Sequence, residues 1–535
     1  YYCAFANSGK SDMVKALKNI RIHPRIHIEE GANGVHFAVN CRHCADPLCV
    51  KGCITGALTR QNGMIVIDEN KCVGCFTCIL SCPYGAIEPD ETGHVMQKCE
   101  LCTKNGAGEP LCVKNCPNQA TRRGEKNVKY VIIGNGPAAV TAAETIRRAD
   151  DAGEITLLSK EDEFTYSRPL ISYLLCGKTD ETRMRYKPAD FYARNRVDFR
   201  SGVAAVSIDK DEKTVTGSDG VVYPYDKLLL ATGAKPFVPP IPGLESVHYH
   251  TFMTLRDAHE LADCLTKNTR VLIVGAGLIG MKCLEGIRDR VASVTVCDLA
   301  KQVLPSILDA EAAQMVQKHC EAQDVTFLLG DSAARFEPGK AIMQSGKEVE
   351  FDELVMAVGV RPATELAQSL GLDAARGIHT NAQGETDIPD IFAAGDCAKS
   401  FDVTTDTERV LALLPNATQQ GEICGLAMAG KSGKSFNAIP MNAMGMFGLH
   451  MITAGTMTGD DHIIRENGSY KRLCTKDDRL MGYILVGNVA RAGIYTALIR
   501  EKTPLSSIDF ELMLDKPQLM FSRRDRATLM GGSRL

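Results

Sequence analysis

The sequence predicts a cysteine-dense α+β domain, then an α/β region built on two strand–glycine turn–helix crossovers, then a C-terminal α+β domain. Three observations carry that reading. Of 21 cysteines, 13 fall between Cys3 and Cys116, and the other eight are scattered singly from Cys176 to Cys474. Two short apolar strands run into glycine turns, at Gly134 and again at Gly275. Finally, 535 residues with 44% hydrophobic content can bury several cores, three or four domains at about 150 residues each.

The formal net charge of -4, from 61 basic and 65 acidic residues mixed along the chain, offers no basic patch for nucleic acid. A small molecule or a protein redox partner is expected instead. No apolar run reaches the roughly 18 to 20 residues that cross a bilayer, and the nearest is the stretch Met441 to Gly455. Cysteines clustered at the head of a long chain point to metal ligation in a reducing, cytoplasmic compartment rather than to a secreted disulfide scaffold. The chain opens Tyr1-Tyr2-Cys3, without Met and inside a cysteine motif, so it is expected to be a fragment with residues missing upstream.

Three runs form the cysteine domain: Cys41-x2-Cys44-x4-Cys49-x3-Cys53, Cys72-x2-Cys75-x2-Cys78-x3-Cys82-Pro83, and Cys99-x2-Cys102-x9-Cys112-x3-Cys116-Pro117. Each supplies four thiolates, the number a 4Fe-4S cube needs, and the middle run has the bacterial ferredoxin spacing. Zinc knuckles also use C-x2-C pairs, but they want two pairs per metal rather than a triad plus one.

On these spacings, and on the hairpin-like Gly63 to Asp68 between the first two runs, residues 1 to about 124 resemble the four-cluster electron-transfer subunits that partner carbon monoxide dehydrogenase and molybdopterin enzymes. In that family the second and third motifs pair, as do the first and fourth. The resemblance implies one cluster on Cys41, Cys44, Cys49 and Cys82, and its mate on Cys72, Cys75, Cys78 and Cys53. It implies a third on Cys99, Cys102, Cys112 and Cys3, which leaves Cys116 for a fourth cluster completed upstream of Tyr1. Ile54 departs from the proline usual after that cysteine, which bears on the local turn.

The second region begins with Tyr130-Val-Ile-Ile-Gly134-Asn-Gly136-Pro-Ala-Ala139, a strand entering a turn and then a helix. Gly134 permits the tight turn, Gly136 lets the backbone approach a pyrophosphate, and Ala139 allows close helix packing. Three further segments agree with it: Leu229 to Gly233 with Ala231 and Thr232, Ala357 to Pro362 with Gly359, and Ile391 to Asp396 with Gly395. A second fingerprint, Gly275, Gly277 and Gly280, precedes Asp298, where a ribose hydroxyl should be gripped. An acid at that position favours NAD(H) over NADP(H), whose 2'-phosphate would meet a like charge.

Residues 127 to about 430 therefore resemble the two-dinucleotide-fold flavoprotein reductases, such as NADH oxidases, rubredoxin reductase-like enzymes and the flavin part of nitrite reductase. The resemblance implies an α+β ferredoxin-like cluster domain followed by an α/β two-dinucleotide-binding (FAD and NAD Rossmann-like) flavoprotein reductase with a C-terminal α+β interface domain. The expected boundaries are 1–126 for the clusters, 127–245 with 360–430 for FAD, 246–359 for NAD(P), and 431–535 for a dimerisation interface. It also implies that Gly134, Gly136 and Ala139 hold the FAD pyrophosphate, that Asp396 accepts a ribityl hydroxyl, and that Arg168-Pro169 approaches the isoalloxazine ring. Ser159 stands where a glutamate often binds the adenosine ribose, so Glu161 or Asp162 is expected to substitute.

No C-x4-C pair follows the first fold, which removes the dithiol route of lipoamide or glutathione reductases. The two resemblances together imply an FAD-dependent NAD(P)H oxidoreductase that passes electrons between NAD(P)H and 4Fe-4S clusters, with three expected complete in this fragment and four in the full protein. Its expected partners are the nicotinamide nucleotide, a redox protein such as an anaerobic dehydrogenase or hydrogenase, and a second copy in a homodimer. The alternative is an NADH oxidase, peroxidase or coenzyme A-disulfide-type reductase working at Cys176. Lys282, two residues after Gly280, stands where related flavoproteins usually carry a glutamate. Either it is a cation facing the flavin or it is a solvated helix lysine.

Overall fold

The structure is a computed structural model. It describes residues 2–8, 11–18, 24–30, 36–44, 47–61, 63–90, 96–103, 110–115, 127–433, 438–517 and 520. The chain divides into two units, Tyr1–Lys126 and Asn127–Leu535.

In the first unit, cysteine-bearing helical turns alternate with hairpins. Antiparallel pairs join Ile26–Glu30 to His36–Asn40 and Leu58–Gln61 to Met64–Ile67. The second hairpin turns through Gly63, whose φ of 77° costs glycine nothing. Its inward residues Leu58, Ile65 and Ile67 pack with Cys78 and Ile87 into a small core. That core is thin, so bonds to metal would carry much of this unit's stability.

Among its described residues the second unit is built on two parallel sheets and a five-stranded antiparallel sheet, joined by smaller antiparallel sheets of two or three strands. The first is five-stranded, in the order Ile391–Ala393, Lys227–Leu230, Lys129–Ile133, Glu154–Leu158, Val197–Arg200, with every neighbouring pair parallel. The next is four-stranded and parallel, in the order Val325–Leu329, Ser293–Asp298, Arg270–Val274, Glu353–Met356. The chain leaves the first sheet and returns to it through the antiparallel pair Ala234–Pro236 and Val360–Pro362. Strands buried on both faces read as continuous apolar runs, which is why Tyr130 to Ile133 and Val271 to Val274 carry no charged residue. A five-stranded antiparallel sheet spans Met441 to Val486 and is backed by the helix Ala492–Arg500. Among the described residues no helix is long and apolar enough to cross a membrane.

The two glycine turns are built alike. At Gly134 the φ is 117° and a Cβ would lie 2.1 Å from the Ala231 carbonyl oxygen; at Gly275 the φ is 116° and it would lie 2.3 Å from that of Ala357. Each turn is thus wedged against the neighbouring parallel strand, and only glycine fits.

Candidate cofactor and cluster sites

The described cysteines of the first unit gather in three groups, none of them disulfide-bonded. Cys53, Cys72, Cys75 and Cys78 line one cavity. Burial pushes the Cys41 and Cys49 thiols up, and like charge on Cys82, joined at Cys41 by Cys44, adds to the shift. Cys3 is buried and crowds Cys99, Cys102 and Cys112; the Cys99 thiol is pushed to about 11, chiefly by burial. Cys116 lies outside the described residues.

A backbone device recurs in these loops. The residue just before the second cysteine of each opening C-x2-C is left-handed: His43 at φ 49°, Gly74 at 65° and Leu101 at 52°. That reversal winds both thiols of a pair to one side, and at His43 and Leu101 it costs about 1 to 2 kcal/mol that something must offset. His43 adds a second signal. Its Nδ1 accepts from the Ile65 N–H at 2.9 Å, while its Nε2 is buried without a hydrogen-bond partner. Crowded thiols, left-handed strain and an orphaned ring nitrogen all fit a 4Fe-4S cube, which holds its ligands as thiolates and accepts N–H bonds at sulfur.

Lys98, which sequence reasoning missed, is 1% exposed. Its Nζ donates to the carbonyls of Ile65 and Cys99, and Cys41 and Cys49 lie close enough to oppose the depression that burial imposes on it. The signal available in the sequence was its place directly before Cys99.

In the second unit the C-terminal ends of the five parallel strands converge, as a doubly wound sheet requires at its ligand crevice. Gly136 caps the helix Pro137–Ala149 with no side-chain cap, and a Cβ there would meet nothing within 4 Å. The helix N-terminus thus faces open space suited to a phosphate. Ala139 is fully buried beneath it. Gly233 at φ 69° also borders open space, while Thr232 donates to the Ala363 carbonyl at 2.6 Å and Ala231 is buried. Gly395 and Asp396 follow the strand Ile391–Ala393. Burial raises the Asp396 carboxyl, and the nearby Arg168 guanidinium opposes the shift.

Ser159 is buried and donates to the Glu161 carbonyl at 2.8 Å. The Glu161 carboxylate is occupied: Arg168 grips one oxygen and Tyr166 Oη donates to the other at 2.7 Å. Arg168 also reaches the Met253 carbonyl at 3.2 Å, so its guanidinium is locked, with Pro169 next along the 3-10 helix Arg168–Leu170. Asp162 pairs with Arg256 at 3.5 Å. The carboxylate with spare capacity is Glu163, whose Oε2 is buried without a partner and whose carbonyl accepts from Asn135 of the glycine turn at 3.4 Å. Together with the open cradle at Gly136, this orphaned oxygen fits FAD.

Gly277 caps the helix Leu278–Ile287 with open space beyond it, and Gly280 packs so tightly beneath the turn that a Cβ there would lie 1.9 Å from the Gly275 carbonyl oxygen. Asp298 accepts from the N–H groups of Ala276 at 2.7 Å and Ala300 at 2.8 Å, bracing the turn from below. Gly359, at φ 117°, borders open space on the adjoining strand.

Lys282 is mostly buried and is paired. Its ammonium pairs with Glu285, lies 4.3 Å from the Tyr173 ring centroid and reaches the Gly445 carbonyl at 3.4 Å. Cys176 ends the helix Ile171–Leu175, where its thiol contacts the Tyr173 carbonyl at 3.5 Å. Arg168 stands eight positions earlier, at the start of the 3-10 helix Arg168–Leu170 that leads into this one.

Comparison with known proteins adds the family. The pyridine nucleotide-disulphide oxidoreductase model matches residues 128–421. The chain belongs to that family. A 4Fe-4S dicluster domain matches 32–126, and the C-terminal domain of rubredoxin NAD+ reductase matches 440–503. The epsilon subunit of an NADH-dependent phenylglyoxylate dehydrogenase from Aromatoleum evansii is 33% identical over 399 residues, covering 72% of this chain and 94% of that one. The nitrite reductase [NAD(P)H] of Bacillus subtilis is 27% identical over 71% of this chain, which spans only 48% of that protein. A chain of the covalent putidaredoxin reductase–putidaredoxin complex superposes with a TM-score of 0.68 at 23% identity, covering 76% of this chain and 100% of that one, and so shares the fold. This chain is an FAD-dependent NAD(P)H oxidoreductase with an attached 4Fe-4S domain, and it transfers electrons between NAD(P)H and a redox partner through FAD.

Proposed function

We propose that the chain is the NADH-linking component of a larger redox system, exchanging electrons with a partner dehydrogenase at its cluster domain. The observation that carries the reading is the fusion itself: three four-cysteine groups precede two intact dinucleotide turns in one polypeptide. Bound FAD supplies the conversion between the two-electron chemistry of nicotinamide and the one-electron chemistry of a cluster. The chain's own residues bind and orient. Gly136 and the helix behind it receive the pyrophosphate, Glu163 offers an acceptor to a ribose, and Arg168, fixed by Glu161 and Tyr166, presents an immobile cation beside Asp396. Asp298, held by the Ala276 and Ala300 N–H groups, sets a negative charge at the end of its strand that disfavours a 2'-phosphate and so favours NADH. The cluster ligands are Cys41, Cys44, Cys49 and Cys82; Cys53, Cys72, Cys75 and Cys78; and Cys3, Cys99, Cys102 and Cys112. A relative named as a dehydrogenase subunit supports a dehydrogenase as the partner, and a homodimer through residues 431–535 completes the proposal.

Anaerobic titration with NADH tests this. Bleaching of both flavin and cluster absorption is expected. Flavin bleaching alone would leave the clusters outside the path and favour chemistry at Cys176.

A further inference from the structure

Three unlike ligands meet at the end of the NAD-type sheet remote from its glycine turn. His250 lies alongside the strand Glu353–Met356, its N–H donating to the Leu354 carbonyl and its carbonyl accepting from Met356, both at 2.8 Å. It is 4% exposed. Its Nε2 stands 3.0 Å from Glu353 Oε2. Cys264, the last residue of the helix Leu255–Cys264, brings its exposed thiol to the same place, so that the imidazole nitrogen, the thiol sulfur and a carboxylate oxygen all lie within 4.8 Å of one another. The pyrophosphate-binding turn is at the opposite, C-terminal end of these strands. This trio therefore has no part in holding the nucleotide.

We infer that His250, Cys264 and Glu353 form a site for a thiophilic divalent cation of the zinc class, structural in role and independent of the iron-sulfur clusters. Nitrogen, sulfur and oxygen donors in one set suit zinc, cobalt or cadmium and disfavour magnesium and calcium, which take oxygen alone. Donors around a tetrahedral zinc stand about 3.3 to 3.8 Å apart, from bonds of about 2.0 to 2.3 Å. The His250–Glu353 pair must open slightly and the Cys264 rotamer close, which an exposed side chain can do.

The surroundings favour a cation. The carboxylates of Glu353, Asp263 and Glu260 all lie near the Cys264 thiol, so negative groups gather around the site. Ligation replaces the thiol proton, released to solvent, with the metal. The fourth position would be taken by water, with His248 close by. His248 sits two residues before His250 on extended chain, its ring 4.7 Å from that of His250 and exposed to solvent. The metal would tie the end of one helix to the sheet edge, a tertiary clasp between residues far apart in the chain.

The test uses the full chain, purified anaerobically, treated briefly with chelator, equilibrated with zinc chloride and passed through gel filtration. Zinc and iron are then counted by plasma mass spectrometry. The expected result is about one more zinc per chain in the wild type than in Cys264→Ala or Glu353→Gln, with iron equal in all three and a zinc-dependent rise in thermal midpoint in the wild type only. FAD content reports whether each variant is folded, and Glu353→Gln preserves shape should Cys264→Ala fail. Equal zinc in wild type and variants would place the metal in vacated cluster sites, and no retained zinc in the wild type would mean no site. Either outcome overturns the inference.

Discussion

Replacing Lys282 by methionine is the sharpest probe of the flavoprotein half. Glu285 is 6% exposed at its side chain and Lys282 19%. Burial pushes the Glu285 carboxyl up, but the Lys282 hydrogen bond and charge, the Lys178 charge and the Phe447 N–H together hold it below its usual 4.5. Removing one partner of a fully buried pair costs about 3 to 5 kcal/mol. Here Lys178 at 3.4 Å and Phe447 N–H at 3.2 Å remain, and Lys282 is partly solvated, so we expect about 2 kcal/mol. The sign with pH follows from linkage. In the wild type the depressed carboxyl gives stability that is present above 4.5 and lost as pH falls through its lowered value. In Lys282→Met the carboxyl loses its largest lowering partner and rises, and Glu285 can shed its less compensated charge by taking a proton. The deficit against wild type should therefore shrink between pH 7 and pH 4. Urea unfolding followed by FAD fluorescence, in a double-mutant cycle with Glu285→Gln, isolates the pair. A deficit constant with pH would refute the reasoning. Because Glu285 neutralises the ammonium, the flavin midpoint should hold. A fall beyond about 30 mV, the two-electron equivalent of about 1.4 kcal/mol, would restore Lys282 as a charge acting on the flavin.

Gly280→Ala would set a methyl group 1.9 Å from the Gly275 carbonyl oxygen, so the NADH KM should rise by roughly tenfold or more with FAD content retained, measured by steady-state dye reduction. Asp298→Ala leaves the Ala276 and Ala300 N–H groups without their acceptor, at about 1 to 3 kcal/mol, and should weaken NADH use while relaxing discrimination against NADPH. A wild type that already prefers NADPH would end that assignment. Cys3→Ser should lower iron from about twelve toward about eight per chain, and unchanged iron would remove Cys3 from the third site. Lys98→Met should lower the midpoint potential of the cluster at Cys41, Cys44, Cys49 and Cys82 in an EPR titration, since a buried donor that favours the more negative state is lost; an unmoved potential would make Lys98 a purely structural residue.

How much of this was legible follows from the range of each interaction. A glycine turn is decided within a few residues by steric limits on the backbone, so Gly134 and Gly275 could be read with their reasons attached. A cysteine triad is local for the same reason, because one cube sets the spacing of three ligands. The fourth ligand is not local. That Cys53 joins Cys72, and Cys82 joins Cys41, came from family resemblance, since no spacing rule connects residues so far apart in the chain. The missed residues share that property. Lys98 matters because Ile65 and Cys41 fold around it, and Lys282 was ambiguous because its partner could be solvent, flavin or, as the structure has it, Glu285 one turn on. Glu161 could be named as an acid near the adenosine site, but not that Arg168 and Tyr166 would claim its carboxylate and leave Glu163 with the unpaired oxygen. Sequence motifs therefore located the chemistry, while the charges that tune it had to be found among tertiary neighbours. The same division explains why His250, Cys264 and Glu353 gave no signal: their convergence exists only once the sheet edge and the helix end have been brought together.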